Sequence, residues 1–205
     1  MLENQPFLQT EKRKKMKKTT LILLAFLIVP LVSFSQGVGI GVKAGANFAN
    51  LNFEDPDVSP ESVTNFHFGG YLNLNLTDKF GITPEVLFSS QGSEFDGMKI
   101  DMTYIAIPVM LKFKPVSFLF VEAGPQFSFL TKAEMDFGQG TEDIKDQLKN
   151  NDFGLGFGAG VNLPLGFNAG ARYVLGFSNI SDVSEETIQN RTFQIYVGWT
   201  ILGAK

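Results

Sequence analysis

The 205-residue sequence contains no cysteine, which excludes a disulfide framework and any thiolate metal centre. It has a single histidine, His67, so a metal site built on imidazoles has no second ring to draw on. After the first 35 residues no apolar run approaches the roughly 20 residues of a membrane-crossing helix. Basic residues are scarce there too. Six of the 17 Lys and Arg but only two of the 21 Asp and Glu precede Gln36. The remainder carries a net charge of about −8, which argues against a nucleic-acid partner. What is abundant is phenylalanine and glycine, 21 of each, the glycine without a collagen period.

The N-terminus has its own pattern. Residues 12–18 read Lys-Arg-Lys-Lys-Met-Lys-Lys, an apolar run follows over Leu21–Val32, and then comes Ser33-Phe34-Ser35-Gln36. A basic block, a short apolar stretch and small residues at the cleavage positions predict a secretory signal over 1–35, cut before Gln36. The apolar stretch is short for a spanning helix. Met16 is an alternative start, since Met1–Lys15 adds nothing that a signal needs.

From Asp152 to Leu163 the chain alternates strictly. Phe153, Leu155, Phe157, Ala159, Val161 and Leu163 fall on one face of a strand, and Asp152, Gly154, Gly156, Gly158, Gly160 and Asn162 on the other. The second face is mostly glycine rather than a hydrated set of Lys, Glu and Thr. That suits a crowded interior with the apolar face toward lipid. Seven more segments fit the same template: Val38–Phe48, Asn65–Leu76, Phe80–Ser90, Met102–Phe113, Phe118–Leu130, Phe167–Phe177 and Arg191–Leu202. Each approximates the nine to eleven residues of a tilted spanning strand. Thr77–Lys79, Lys114–Ser117 and Pro164–Gly166 are tight turns, whereas 49–64, 91–101, 131–151 and 178–190 are long and polar. Short turns at one rim and long loops at the other are the outer-membrane arrangement, with the short turns periplasmic. The predicted fold is all-β, an eight-stranded antiparallel up-and-down transmembrane β-barrel over residues 36–205. Pro108 and Pro125 fall inside strands and predict a bulge or kink at each. In the third long loop Thr141 predicts a helix cap, with Ile144 and Leu148 on one face. That segment is either a short helix folded over the outer mouth or a solvated turn.

Several segments resemble the PorT-like outer-membrane β-barrel family. They are Gly41-Val42-Lys43-Ala44-Gly45-Ala46-Asn47-Phe48, Tyr104-Ile105-Ala106-Ile107-Pro108-Val109-Met110-Leu111-Lys112-Phe113, Gly124-Pro125-Gln126-Phe127, Arg172-Tyr173 and the Gln194–Trp199 strand. The resemblance covers most of 37–202. It implies a small bacterial outer-membrane barrel and, in one version, a part in secretion or envelope assembly. One departure is that barrels of this kind often end on an aromatic residue that the assembly machinery recognises. Here Thr200–Lys205 follow Trp199, so either Trp199 serves from an interior position or that element is missing.

The charged residues on the inward faces are Lys43, Glu85, Lys112, Glu122 and Arg172, with Asp152 nearer the outer end. Lys43, Glu85, Glu122 and Arg172 lie about four to six residues from the periplasmic ends of their strands, at ~3.3 Å per residue, hence at similar depth. Two acids and two bases in one layer form either a packed ionic plug or a relay or gate, and an eight-stranded interior that side chains just fill favours the plug. Tyr71, Tyr104, Tyr196 and Phe120 are expected to fill the space that inward glycines leave.

No catalytic residue, metal site or cofactor is predicted. Gly154-x-Gly-x-x-Ala159 and Gly39-x-Gly-x-x-Ala44 match a loose dinucleotide pattern, but the alternation runs straight through them. A Ser–His pair from His67 with Ser89 or Ser128 has no supporting spacing. Glu54, Asp55, Asp57 and Glu61 cluster in the first loop. They serve solubility or, as candidate cation contacts, bridge divalent ions to anionic head groups. The expected partners are outer-membrane lipids and a protein met by the loops or periplasmic turns, with the barrel itself a monomer. The expected role is structural or interactive. A narrow channel gated by the lumen charges and a soluble periplasmic barrel holding an apolar ligand are the rival readings.

Overall fold

The computed structural model describes residues 37–53, 60–95, 97–138, 140–181 and 187–203. The expected signal segment and Glu54, Asp55 and Asp57 lie outside the described residues. The strands are β1 (Gly37–Phe53), β2 (Glu61–Asn75), β3 (Phe80–Phe95), β4 (Met98–Val116), β5 (Leu119–Asp136), β6 (Thr141–Asp143), β7 (Asn151–Asn162), β8 (Phe167–Gly176) and β9 (Ile188–Gly203). Each long strand pairs antiparallel with its neighbours in the chain, β5 pairs with β7, and β9 returns to pair with β1. The result is a closed ring of eight strands, with β6 added to the outer extension of β5. Closure leaves the eight long strands of the ring without an unpaired edge, the condition for strands to cross a bilayer.

The alternation of the sequence becomes two faces. Ile40, Val42, Phe66, Phe68, Leu111, Val121, Phe127, Phe157, Ile195 and Val197 are exposed on the outside. Lys43, Tyr71, Glu85, Glu122, Arg172 and Tyr196 are buried inside. Leu74 shares the outward parity but is buried, paired between Val38 of β1 and Ile82 of β3. Aromatic rings gather at two levels of the outer face. Toward the short turns Phe80 packs on Phe113 and Phe167 stacks on Trp199. Toward the other end are Phe66, Phe68 and Phe88, then Phe127, Phe153 and Phe177. From Phe167 to Phe177 the chain advances roughly 33 Å, or about 25 Å along the barrel axis at a tilt of about 40°, the height of a lipid-facing band.

Inside, glycines make room for large rings. A Cβ on Gly170 would stand 2.7 Å from the Tyr196 hydroxyl, and one on Gly160 would collide with the Phe120 ring. Gly41 makes the same accommodation for Tyr71. The wide lumen-facing side chains are therefore carried by strands whose neighbours have none.

The structure differs from the sequence expectation in three places. No register shift occurs at Pro108 or Pro125. The β4–β5 ladder passes from Pro108↔Gln126 to Leu111↔Ala123 with its offset unchanged, and Pro125 stays in register with Leu155. Each proline removes an N–H from the ladder, and this costs rungs without inserting a residue. The shifts lie elsewhere, at Ile40/Gly41, Ser62/His67, Thr103/Tyr104 and Phe113/Val116. Residues 91–101 are not a loop. β3 and β4 continue their pairing through Glu94↔Lys99 to Phe95↔Met98, around a turn with Gly97 at φ 77°. Finally, Thr141 caps nothing. From β6 it pairs with Asp136 of β5, and among the described residues the helical turn nearby is a 3-10 turn at Lys145–Gln147. The segment nonetheless folds inward, because Ile144 is buried and Leu148 packs beside it.

At the opposite rim the Thr77 hydroxyl accepts hydrogen bonds from the Lys79 and Phe80 N–H groups, closing the β2–β3 turn. The β7–β8 turn places Leu165 at φ 64°, where a leucine is strained by roughly 1–2 kcal/mol.

Two predictions follow from the inside–outside division. Ile195→Lys, at mid-height on the outer face, is expected to cost about 2–4 kcal/mol in denaturant unfolding from vesicles. Leu165→Lys at the turn should stay within about 1 kcal/mol. In the lumen, Gly170→Ala should lose about 1–3 kcal/mol. Gly156→Ala, where the nearest atom is the flexible end of Met110 at 3.3 Å, should be near neutral. Equal losses at the two glycines would contradict the packing described.

Candidate functional site

The lumen is organised in layers along the barrel axis. The central one is ionic. Arg172 on β8 donates from Nε to Glu122 Oε1 at 2.8 Å, and from Nη1 and Nη2 to the two carboxylate oxygens of Glu85 at 3.0 and 2.8 Å. Lys43 donates to Glu85 Oε1 at 2.6 Å, and the Tyr196 hydroxyl donates to Glu122 Oε1 at 2.9 Å. The side chains of Lys43, Glu85, Glu122 and Arg172 are at most 1% exposed. Register explains the convergence. Glu122 and Arg172 both pair with Gly158, so the glycine leaves the space through which they meet. Lys43 also lies 3.9 Å from the centre of the Tyr196 ring, adding a cation–π contact.

Lys112 pairs directly with Glu122 across β4 and β5, but its ammonium stands 3.7 Å from Glu122 Oε2. It also lies 4.6 Å from the centre of the Phe120 ring and 5.9 Å from that of Tyr71. The layer holds three basic and two acidic side chains, so the bases outnumber the acids by one. Arg172 supplies the geometry: a planar fork bonds two carboxylates at once, which a lysine cannot do.

Above the ionic layer lies a second polar one, of amides and hydroxyls with a single carboxylate, Asp152. Asn47 is its hub. Its Nδ2 donates to Ser89 Oγ and to the Ser90 carbonyl, and its Oδ1 meets His67 Nδ1 at 2.7 Å and Gln194 Nε2 at 3.0 Å. Thr192 donates to Gln91 Oε1, and Asn190 bridges Asp152 and the Tyr104 hydroxyl. His67 and Ser89 are cross-strand partners, yet each is tied to Asn47 and both are buried. Ser128 accepts from Gln126 instead. A hydrolytic pair has no route to substrate here. The outermost layer is apolar: Leu51, Met102, Leu130, Ala133, Ile144 and Ile180 close the mouth.

At the other end the lumen opens. A cavity of about 730 Å³ extends from Lys112, Asn168 and Thr200 to the turns at Thr77, Asp78, Ser117 and Pro164–Gly166. Its floor is tied by Tyr71, whose hydroxyl meets Thr200 Oγ1 at 3.0 Å and accepts from Asn168 Nδ2 at 2.9 Å. Lys114 stands in its wall, donating to Asn75 Oδ1 at 2.7 Å.

A family model described as outer membrane protein beta-barrel domain matches residues 33–182. The chain belongs to that outer-membrane β-barrel family. Among solved structures, Neisserial surface protein A is similar at 14% identity with a TM-score of 0.60, over 80% of this chain and 99% of that one. The attachment invasion locus protein Ail of Yersinia pestis is 17% identical with a TM-score of 0.46, over 78% of this chain and 97% of that one. OprG of Pseudomonas aeruginosa is 12% identical with a TM-score of 0.47, over 80% and 96%. At these identities the likeness concerns the fold. The comparison with curated proteins finds no match. Membership of the family puts the lipid-facing band in the outer membrane, and the soluble-barrel reading falls with it. That reading required apolar residues inside.

The structure thus brings Lys43, Glu85, Lys112, Glu122 and Arg172 together. It places Glu61 apart from them, exposed on β2 opposite Glu94. The sequence put all five, Lys112 included, among the inward charges, though it set the depth of only four, and it gave Tyr196 only a space-filling role. It also missed the Asn47 hub and the polar cavity. The signal for these was the inward parity of Asn47, Gln91, Gln126, Gln194, Asn168 and Thr200.

Removing one member of the ionic layer should be costly. Arg172→Met would leave Glu85 and Glu122 short of their forked partner and should lose about 3–5 kcal/mol. Adding Glu122→Gln to that variant should restore part of the loss, read as a coupling energy in a double-mutant cycle. Additive losses would mean that the two residues do not act as a unit.

Proposed function

We propose that this outer-membrane barrel is a closed, non-catalytic scaffold whose protruding hairpins or periplasmic turns contact a protein partner. The observation that carries the reading is the double seal of the lumen, an ionic layer at most 1% exposed and, beyond it, the apolar cap of Ile144, Ile180 and their neighbours. A conducting pore needs a wet path, and both layers oppose one. The β3–β4 hairpin and the start of the β5–β6 connection support contact with a partner. Phe95 and Phe137 are exposed there, and Phe95 lies seven residues, roughly 23 Å, along the strand from the outer aromatic level at Phe88. Apolar rings beyond the lipid band are candidates for protein contact. The resemblance to the PorT-like family favours a role in secretion or envelope assembly as the finer version.

Two measurements test this. Folded protein in a planar bilayer should show no discrete openings. Photo-crosslinkers at Phe137 and at Leu165 in cells should give a discrete protein adduct at one rim. Openings without adducts would replace the scaffold with the channel.

A further inference from the structure

We propose that the cavity at the short-turn end is a binding site for a small organic oxyanion, a carboxylate or phosphate ester, recognised by Lys112 and Lys114. The site does not depend on whether the barrel has a protein partner. Its volume, about 730 Å³, is that of a small-molecule pocket. Its lining mixes polar groups with Leu74, Ile82 and Phe167, which suits a charged head on a compact body.

The charge argument starts in the ionic layer. Glu85 is saturated by Arg172 and Lys43. Glu122 Oε1 takes the Arg172 and Tyr196 donors, and Oε2 has no hydrogen-bond partner among the described residues. Lys112 faces that oxygen at 3.7 Å, beyond hydrogen-bonding distance. Its amino group is thus the most loosely held base of a layer in which bases outnumber acids by one, and it is also the layer's member that lines the cavity. Lys114, two residues on with the same parity, adds a second ammonium, held toward the wall by Asn75. Asp78 is the opposing charge in the lining and sits in the exposed turn at the rim.

A second observation points to a ligand. Asn168 is buried and lines the same cavity, and its Oδ1 has no hydrogen-bond partner among the described residues. A ligand that brings an oxyanion to the lysines meets Asn168 at the floor, and a rotation of its amide, whose covered Oδ1 lies toward Gly198, would present that oxygen to a ligand hydroxyl or N–H. In a site partly shielded from water such charge-assisted bonds gain strength.

The test uses the full chain, folded in non-ionic detergent and verified by its mobility shift without boiling. Calorimetric titration with glycerol 3-phosphate and with N-acetylglycine reads the two sources of oxyanion separately, with glycerol as the neutral control. Saturable binding of either anion, weakened by added salt and absent for glycerol, is expected. Lys114→Gln, at the rim and outside the ionic layer, should weaken it about tenfold, and Lys114→Arg should retain it. Preference for one anion identifies the head group. No saturable heat with either anion, or an affinity unchanged in Lys114→Gln, would overturn the site.

Discussion

The forked bonding of Arg172 to Glu85 and Glu122 is the constraint on which the interior depends. A guanidinium inside a narrow barrel is tolerable only when its donors are met, because the desolvation of an isolated charge outweighs most packing gains. Here β3, β5 and β8 each contribute one member, and Lys43 of β1 is the next neighbour. Strands far apart in sequence are therefore tied across the lumen at one height. That tie sets register as well as stability, since a one-residue slip of any contributing strand turns its charge outward into lipid.

Glycine and the large rings answer the same geometric limit. The interior of an eight-stranded barrel is just wide enough for side chains. Arg172, Tyr196, Tyr71 and Phe120 exceed an even share of that space, and Gly158, Gly170, Gly41 and Gly160 yield theirs. The Gly-rich face of β7 is thus shaped by its neighbours. Its weak strand propensity is offset by pairing on both sides, where β5 and β8 hold it in continuous ladders.

The strands and the sidedness of the wall were legible because alternation is a local signal. Lys43, Glu85, Glu122 and Arg172 acquire inward parity from their own segments. Which inward residues touch is not local. Lys112 meets Glu122 through the β4–β5 register, and register carries four shifts that no proline announces. The tip of β3 and β4 was illegible for a related reason. Gly92 and Gly97 signal a break, but Glu94 and Lys99 pair across it and extend the hairpin. Thr141 has the composition of a helix cap, and its neighbours instead find open rungs on β5. In each case a tertiary pairing outcompetes a short-range preference.

The two ends of the lumen are built on opposite principles, and this gives the barrel a polarity. At the outer end Ile144 and Ile180, both from connections between strands, are drawn into the wall's apolar layer beside Met102 and Leu130. Burying them spends connection residues on sealing the mouth. The same burial fixes where those two connections run, while Phe95 and Phe137 are exposed at neighbouring hairpin ends. At the other end the described residues close the wall with tight turns, and the polar floor of Tyr71, Asn168 and Thr200 lines a cavity below Lys112. The two proposed contacts therefore differ in kind, apolar surface at the outer rim and lysines over a polar floor at the inner rim, with the ionic layer between them.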